Sequence, residues 1–136
     1  GDDVAILALG TTVAPALEAA NKLALKGIEA TVVNARFTKP LDKELIFDLA
    51  SRIKNIITVE ENVLTGGFGS SVNSLLQESG MKDMTIKNIG IPDEFVEHGT
   101  QVILRAKYGL DADGIARQVL KMLSGTAADL PLKAKK

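Results

Sequence analysis

The run Val4-Ala5-Ile6-Leu7-Ala8-Leu9 is apolar without interruption and without alternation, and a glycine follows it at once. Alternation marks a strand with one wet face, whereas an unbroken run suits a strand covered on both faces within a parallel sheet. Gly10-Thr11-Thr12 then turns into a helix in which Val13, Ala16, Leu17, Ala20, Leu23 and Ala24 fall on one stripe. Pro15 is tolerated in a first turn, and Gly27 stands where a C-terminal cap belongs.

The same grammar recurs. Residues 28–33 supply a second strand, and Lys39-Pro40-Leu41 leads to Asp42, a good N-cap for a helix with Leu45, Ile46, Leu49, Ala50 and Ile53 inward. A third strand runs over residues 55–60. A helix over 70–78, closed by Gly80, and a fourth strand over 84–89 follow. Strands alternating with helices predict right-handed crossovers, hence an α/β fold: a three-layer domain with a mostly parallel open sheet and helices on both faces.

After Gly90 the pattern changes. Pro92 and Gly99 bracket an irregular segment, residues 100–107 make a short helix, and Asp111 caps a last helix with Ile115, Val119, Leu120 and Leu123 inward. The expected organisation is one domain over 1–124 and a flexible tail over 125–136. Gly1-Asp2-Asp3 stands so close to a core strand that the chain is expected to be part of something longer.

Composition narrows the function classes. A chain of 136 residues buries roughly 68% of the surface its unfolded form exposes, so a core forms without staples. With 46% hydrophobic and 24% charged residues it reads as an ordinary globular domain. A net charge of -1 gives no footprint for nucleic acid, and no apolar run approaches the ~20 residues of a membrane helix. There is no cysteine, which removes disulfides and thiolate metal sites. Nucleic acid and membrane are therefore not expected as partners, and a cytoplasmic or organellar-matrix location is expected.

Two stretches carry the chemistry. Val59-Glu60-Glu61-Asn62 runs into Gly66-Gly67-Phe68-Gly69-Ser70-Ser71, a strand end, two carboxylates and a glycine cluster opening a helix near Ser70. Glycines there allow positive φ and close packing. The dinucleotide fingerprint fails, because Val72 stands where its third glycine belongs and Glu60 and Glu61 repel phosphate. Adjacent on a strand, those two carboxylates point to opposite sides, one of them toward a crevice. The second stretch, Ile91-Pro92-Asp93-Glu94-Phe95-Val96-Glu97-His98-Gly99, holds the sole histidine, which builds neither a clustered metal site nor a nucleophile pair and is read as ordering its loop. Arg36, past the second strand, suits an interface acid or a phosphate. No catalytic constellation assembles from these residues.

At Arg36-Phe37-Thr38-Lys39-Pro40-Leu41-Asp42, Val59-Glu60-Glu61-Asn62 and Gly66-Gly67-Phe68-Gly69, the chain resembles the C-terminal domain of the transketolase-like thiamin diphosphate enzymes. Residues 90–99, followed by Tyr108-Gly109-Leu110-Asp111-Ala112-Asp113-Gly114-Ile115, are similar to the 1-deoxy-D-xylulose-5-phosphate synthase branch of that family. The resemblance implies an enzyme that condenses pyruvate with glyceraldehyde 3-phosphate in non-mevalonate isoprenoid synthesis, in a bacterial cytoplasm or a plastid stroma. It implies thiamin diphosphate and Mg²⁺ held by preceding domains, with no catalytic, cofactor or metal residue in this chain. What it leaves here is a structural role against those domains and in a homodimer, for which Arg36, Glu60, Glu61, Gly66, Gly67, Phe68 and His98 are the candidate interface residues. The alternatives are a split transketolase, a 2-oxoacid dehydrogenase beta subunit, or a free-standing module capturing an anion at the Ser70 helix start.

Overall fold

The computed structural model describes residues 2–35, 41–63, 67–91 and 101–124. Among them are four strands, β1 (Val4–Ala8), β2 (Ala30–Asn34), β3 (Asn55–Val63) and β4 (Thr85–Ile91). They form one sheet in the order β2-β1-β3-β4, with every pairing parallel. The helices are α1 (Val13–Ala24), α2 (Lys43–Arg52), α3 (Phe68–Glu78), α4 (Gln101–Lys107) and α5 (Ala112–Leu123), with a 3-10 turn at Gly10–Thr12 ahead of α1.

The sheet divides the core in two. Val4, Ile6 and Ala8 of β1 join Ile57, Val59 and Ile89 under α1 and α5, packing on Ala16, Ala19, Leu23, Ile115, Ala116 and Val119. Ala5, Leu7 and Ile56 turn the other way, onto Ile46, Leu49, Ala50 and Ile53 and onto Phe68, Val72 and Leu76 of α3. Every residue of β1 is buried, which is why its sequence shows no alternation. Each of Ile6, Leu7, Ile56 and Ile57, essentially without exposure, contributes about 1.5–3 kcal/mol of burial.

Helix ends follow local chemistry. Asp42 Oδ1 accepts the Leu45 N–H at 3.1 Å, and Asp111 Oδ1 accepts the Gly114 N–H at 2.8 Å. Gly27 and Gly80, with φ of +83° and +77°, close the turns after α1 and α3.

Three expectations need correction. Leu17 and Ala24 lie outside and Ala19 inside, because α1 meets both the sheet and α5 and turns its narrow Ala16–Ala19–Leu23 face toward them. Leu45 is likewise on the outer side of α2. β3 continues three residues past Glu60 and α3 starts at Phe68, two residues before Ser70. α5 ends at Leu123, and the expectation of a tail over 125–136 lies outside the described residues.

The chain passes from β1 through α1 to β2 on one side, then returns through α2 to β3 on the other. The order therefore reverses between β1 and β3, and their carboxyl ends flank the place where open α/β sheets bind ligands.

Candidate functional site

At that switch point hydrogen bonds tie the ends of β1 and β3 together. The Leu9 N–H donates to the Val59 carbonyl at 3.0 Å. The buried Thr12 hydroxyl stands 2.8 Å from the Leu9 carbonyl and 3.0 Å from that of Val59, tying the 3-10 turn across the ends of β1 and β3. Next along β3 the ladder is irregular: Val59 pairs with Ile89 and Val63 with Ile91, so β3 uses four residues where β4 uses two. Such a bulge re-aims side chains at a sheet rim, and the residues it carries include Glu60 and Glu61.

Glu60 is fully buried, at 0% exposure. Its Oε1 accepts the Phe68 N–H at 2.8 Å and its Oε2 accepts the Gly69 N–H at 2.7 Å. These are the first amides of α3, whose N-cap residue Gly67 offers no side chain of its own. A helix start needs acceptors for its free N–H groups and favours a negative charge, and the adjoining strand supplies both. The glycine cluster makes the approach possible. A Cβ on Gly69 would lie 2.6 Å from Thr58 Oγ1 and 2.8 Å from Asn88 Cγ, the pair joined beneath it by a 2.7 Å hydrogen bond from Thr58 to Asn88 Oδ1. Gly67 has φ −87° and ψ −167°, extended backbone open to any residue. Close packing at Gly69, and not positive φ, is thus what the cluster provides at Gly67 and Gly69.

Glu61 points to the opposite face, where Arg105 Nε of α4 donates to its Oε2. Both side chains of this pair are about three-quarters buried, at 24% and 25% exposure. The expected divergence of the two carboxylates holds: Glu60 accepts from the start of α3 and Glu61 from Arg105 of α4.

Of the interface candidates, Glu60 and Phe68 have buried side chains, Phe68 in the α2–α3 core and Glu60 at the start of α3. Glu61 and the partly exposed Gly67 remain at the sheet's carboxyl edge, while Arg36, Gly66 and His98 lie outside the described residues. Arg105 was not singled out from sequence, because nothing local links it to a carboxylate 44 positions away. Glu60 left one signal: a helix start with no Ser, Thr, Asp or Asn at its N-cap, preceded by an acidic strand end. An anion module at this helix start is disfavoured, since Glu60 already takes the Phe68 and Gly69 amides.

The described residues hold no cluster of three or more His, Cys, Asp or Glu suited to a metal, and no helix long and apolar enough to cross a membrane. A groove of about 360 Å³, lined by Asn73, Leu76, Gln77, Met81, Met84 and Ile86, lies at the amino end of β4, away from the switch point.

Comparison with known proteins gives a consistent picture. The profile of the transketolase C-terminal domain matches residues 1–115. A 1-deoxy-D-xylulose-5-phosphate synthase of Geobacter sulfurreducens is 57% identical over 96% of this chain and 21% of its own length. The enzyme of the same name from Dehalococcoides mccartyi is 55% identical over 90% of this chain and 20% of its own. The chain thus spans about a fifth of the length of the curated relatives it matches. Among solved structures, a split-gene transketolase described as an inactive beta4 tetramer superposes with a TM-score of 0.83 at 40% identity, covering 91% of this chain and 40% of that one. A Pichia stipitis transketolase mutant, at 21% identity and a TM-score of 0.66, shares the fold.

Proposed function

The chain belongs to the transketolase C-terminal domain family, and on that premise we propose that it is the third, C-terminal domain of a 1-deoxy-D-xylulose-5-phosphate synthase. The parent enzyme condenses pyruvate with glyceraldehyde 3-phosphate, releasing carbon dioxide, in the cytoplasm of a bacterium. The observation that carries this reading is identity above 50% to synthases over nine-tenths of the chain, against 40% to the split transketolase.

In this reading the domain is a structural part of a homodimer, and Arg36, Glu61, Gly66, Gly67 and His98 are its candidate contacts. Thiamin diphosphate and Mg²⁺ belong to the preceding domains. Among the described residues the helix start at the switch point does not fit the group: its amides already hold the Glu60 carboxylate, whose charge opposes a diphosphate. No catalytic step is assigned to this chain, and the chain alone is inactive.

The test is expression of the whole reading frame with thiamin diphosphate and Mg²⁺. Carbon dioxide release dependent on both pyruvate and glyceraldehyde 3-phosphate supports the assignment. Ketol transfer between sugar phosphates without decarboxylation would point to a transketolase, and transfer to a lipoyl acceptor to a 2-oxoacid dehydrogenase.

A further inference from the structure

The turn from α3 into β4 is held along a fixed path. Ser79 Oγ donates to the Leu76 carbonyl at 2.6 Å and accepts the Met81 N–H at 3.3 Å. Gly80 and Asp83 both take left-handed backbone, at φ +77° and +63°, and among the described residues Asp83 is the only one other than glycine to do so. Aspartate adopts that conformation more readily than most side chains, though not freely. The Thr85 N–H then donates to the Lys54 carbonyl at 2.8 Å and starts β4 in register with β3. The turn thereby sets Met81, Asp83 and Met84 around the same space as Asn73 and Leu76 of α3, the groove of about 360 Å³ at the amino end of β4.

Two groups in its wall lack partners. Leu76 is 2% exposed, and Met81, Met84 and Ile86 pack against the same half of the core, so the wall is largely apolar. Asn73 is set among them, and its Oδ1, shut off from solvent, finds no donor among the described residues. A buried acceptor without a donor costs free energy that an apolar side chain of like size would not. Asp83 is exposed, and its carboxylate makes no ion pair or hydrogen bond among the described residues. Both unmet groups accept hydrogen bonds, and no described lysine, arginine or histidine lines the space to answer them.

We propose that this groove binds a small alkylammonium, its ammonium donating to Asn73 Oδ1 and to the Asp83 carboxylate, its stem lying along Leu76, Met81, Met84 and Ile86. An anion is repelled by Asp83, and a plain hydrocarbon leaves Asn73 as it is; a cation on an apolar stem answers both the polar groups and the wall. The volume suits one small molecule. Asn73 Oδ1 is covered, so the head group reaches it as the wall yields, and unbranched methionine side chains such as Met81 and Met84 re-pack readily.

Every group named belongs to this chain, so the test uses the 136-residue protein with its three methionines ¹³C-labelled at the methyl group. Hexylammonium, hexanol and hexanoate are titrated in parallel and followed by NMR. Hexylammonium is expected to shift the Met81 and Met84 signals saturably while Met122, packed in the other half of the core, stays still. Hexanol is expected to bind about tenfold more weakly, and hexanoate not at all. Equal affinity for hexanol would make the groove an apolar cleft with no cation site and overturn the proposal, as would shifts no larger at Met81 and Met84 than at Met122. Asp83→Asn, which keeps a side chain that tolerates φ +63°, is expected to weaken hexylammonium about tenfold and leave hexanol unchanged; unaltered hexylammonium affinity refutes the site. Asn73→Leu is expected to raise the thermal midpoint and abolish hexylammonium binding, and a stabilised variant that still binds it would also refute the site; if that variant does not fold, Asp83→Asn decides. Tighter binding of acetyl-lysine methylamide than of hexylammonium would make the occupant a lysine of another protein and overturn the assignment to a free amine.

Discussion

Glu60 and Glu61 are consecutive in the chain and serve opposite faces of the sheet: one closes the start of α3 through the Phe68 and Gly69 amides, the other holds α4 through Arg105. A single bulge separates their roles. The first carboxylate is fully buried with backbone partners, whereas the second is a rim pair, so their energetic weights should differ widely.

Glu60→Gln is expected to destabilise the chain by about 2–3 kcal/mol, since the amide turns a donor toward one of two buried N–H groups and removes the charge that suits a helix start. Urea unfolding of the 136-residue chain measures it. A loss below about 0.5 kcal/mol would mean that α3 does not depend on this carboxylate.

Glu61→Gln should cost the same chain about 1 kcal/mol or less, because an ion pair still partly solvated gains little over its hydration. A double-mutant cycle with Arg105→Gln isolates the pair. A coupling energy as large as the Glu60 effect would contradict the contrast drawn between them.

Gly69→Ala is expected to cost about 1–3 kcal/mol, as its methyl group would meet Thr58 Oγ1 at 2.6 Å and Asn88 at 2.8 Å. Thr58→Ala in the same chain should recover only part of that loss, since Asn88 still crowds the site. Thermal unfolding of the single and double variants checks this, and full additivity of the two losses would place the clash elsewhere.

Gly67→Val should leave the isolated domain within about 1 kcal/mol of its parent, because Gly67 is extended and partly exposed. In the full-length enzyme the same change is expected to weaken the dimer, read by sedimentation velocity. An unaltered dimer alongside an unfolded isolated domain would make this turn a core feature and not a contact.

Much of this was legible in the sequence where the determinant is local. Asp42 and Asp111 cap helices because a short acid three residues ahead of a free N–H suffices, and Gly27 and Gly80 end helices through their own φ. Legibility failed where a second element decides. The inward face of α1 is ambiguous in a helix rich in alanine, and only the seat of α5 selects Ala19 over Leu17. Glu60 gave no sign of which side its carboxylate serves, because its partners are amides eight and nine residues further on, and of the two roles open to Gly69, positive φ and close packing, only the approach of Thr58 and Asn88 selects the second.

β1 sends Val4, Ile6 and Ala8 into one half of the core and Ala5 and Leu7 into the other, while pairing with β2 on one flank and β3 on the other. The segment that every layer leans on is therefore made early and completed late: during synthesis it can meet α1, β2 and α2, but one face waits for α3 and the other for α5, the last helix to emerge. Parallel pairing across that separation is slow to nucleate, which makes the half-built sheet the most aggregation-exposed moment in the life of this domain.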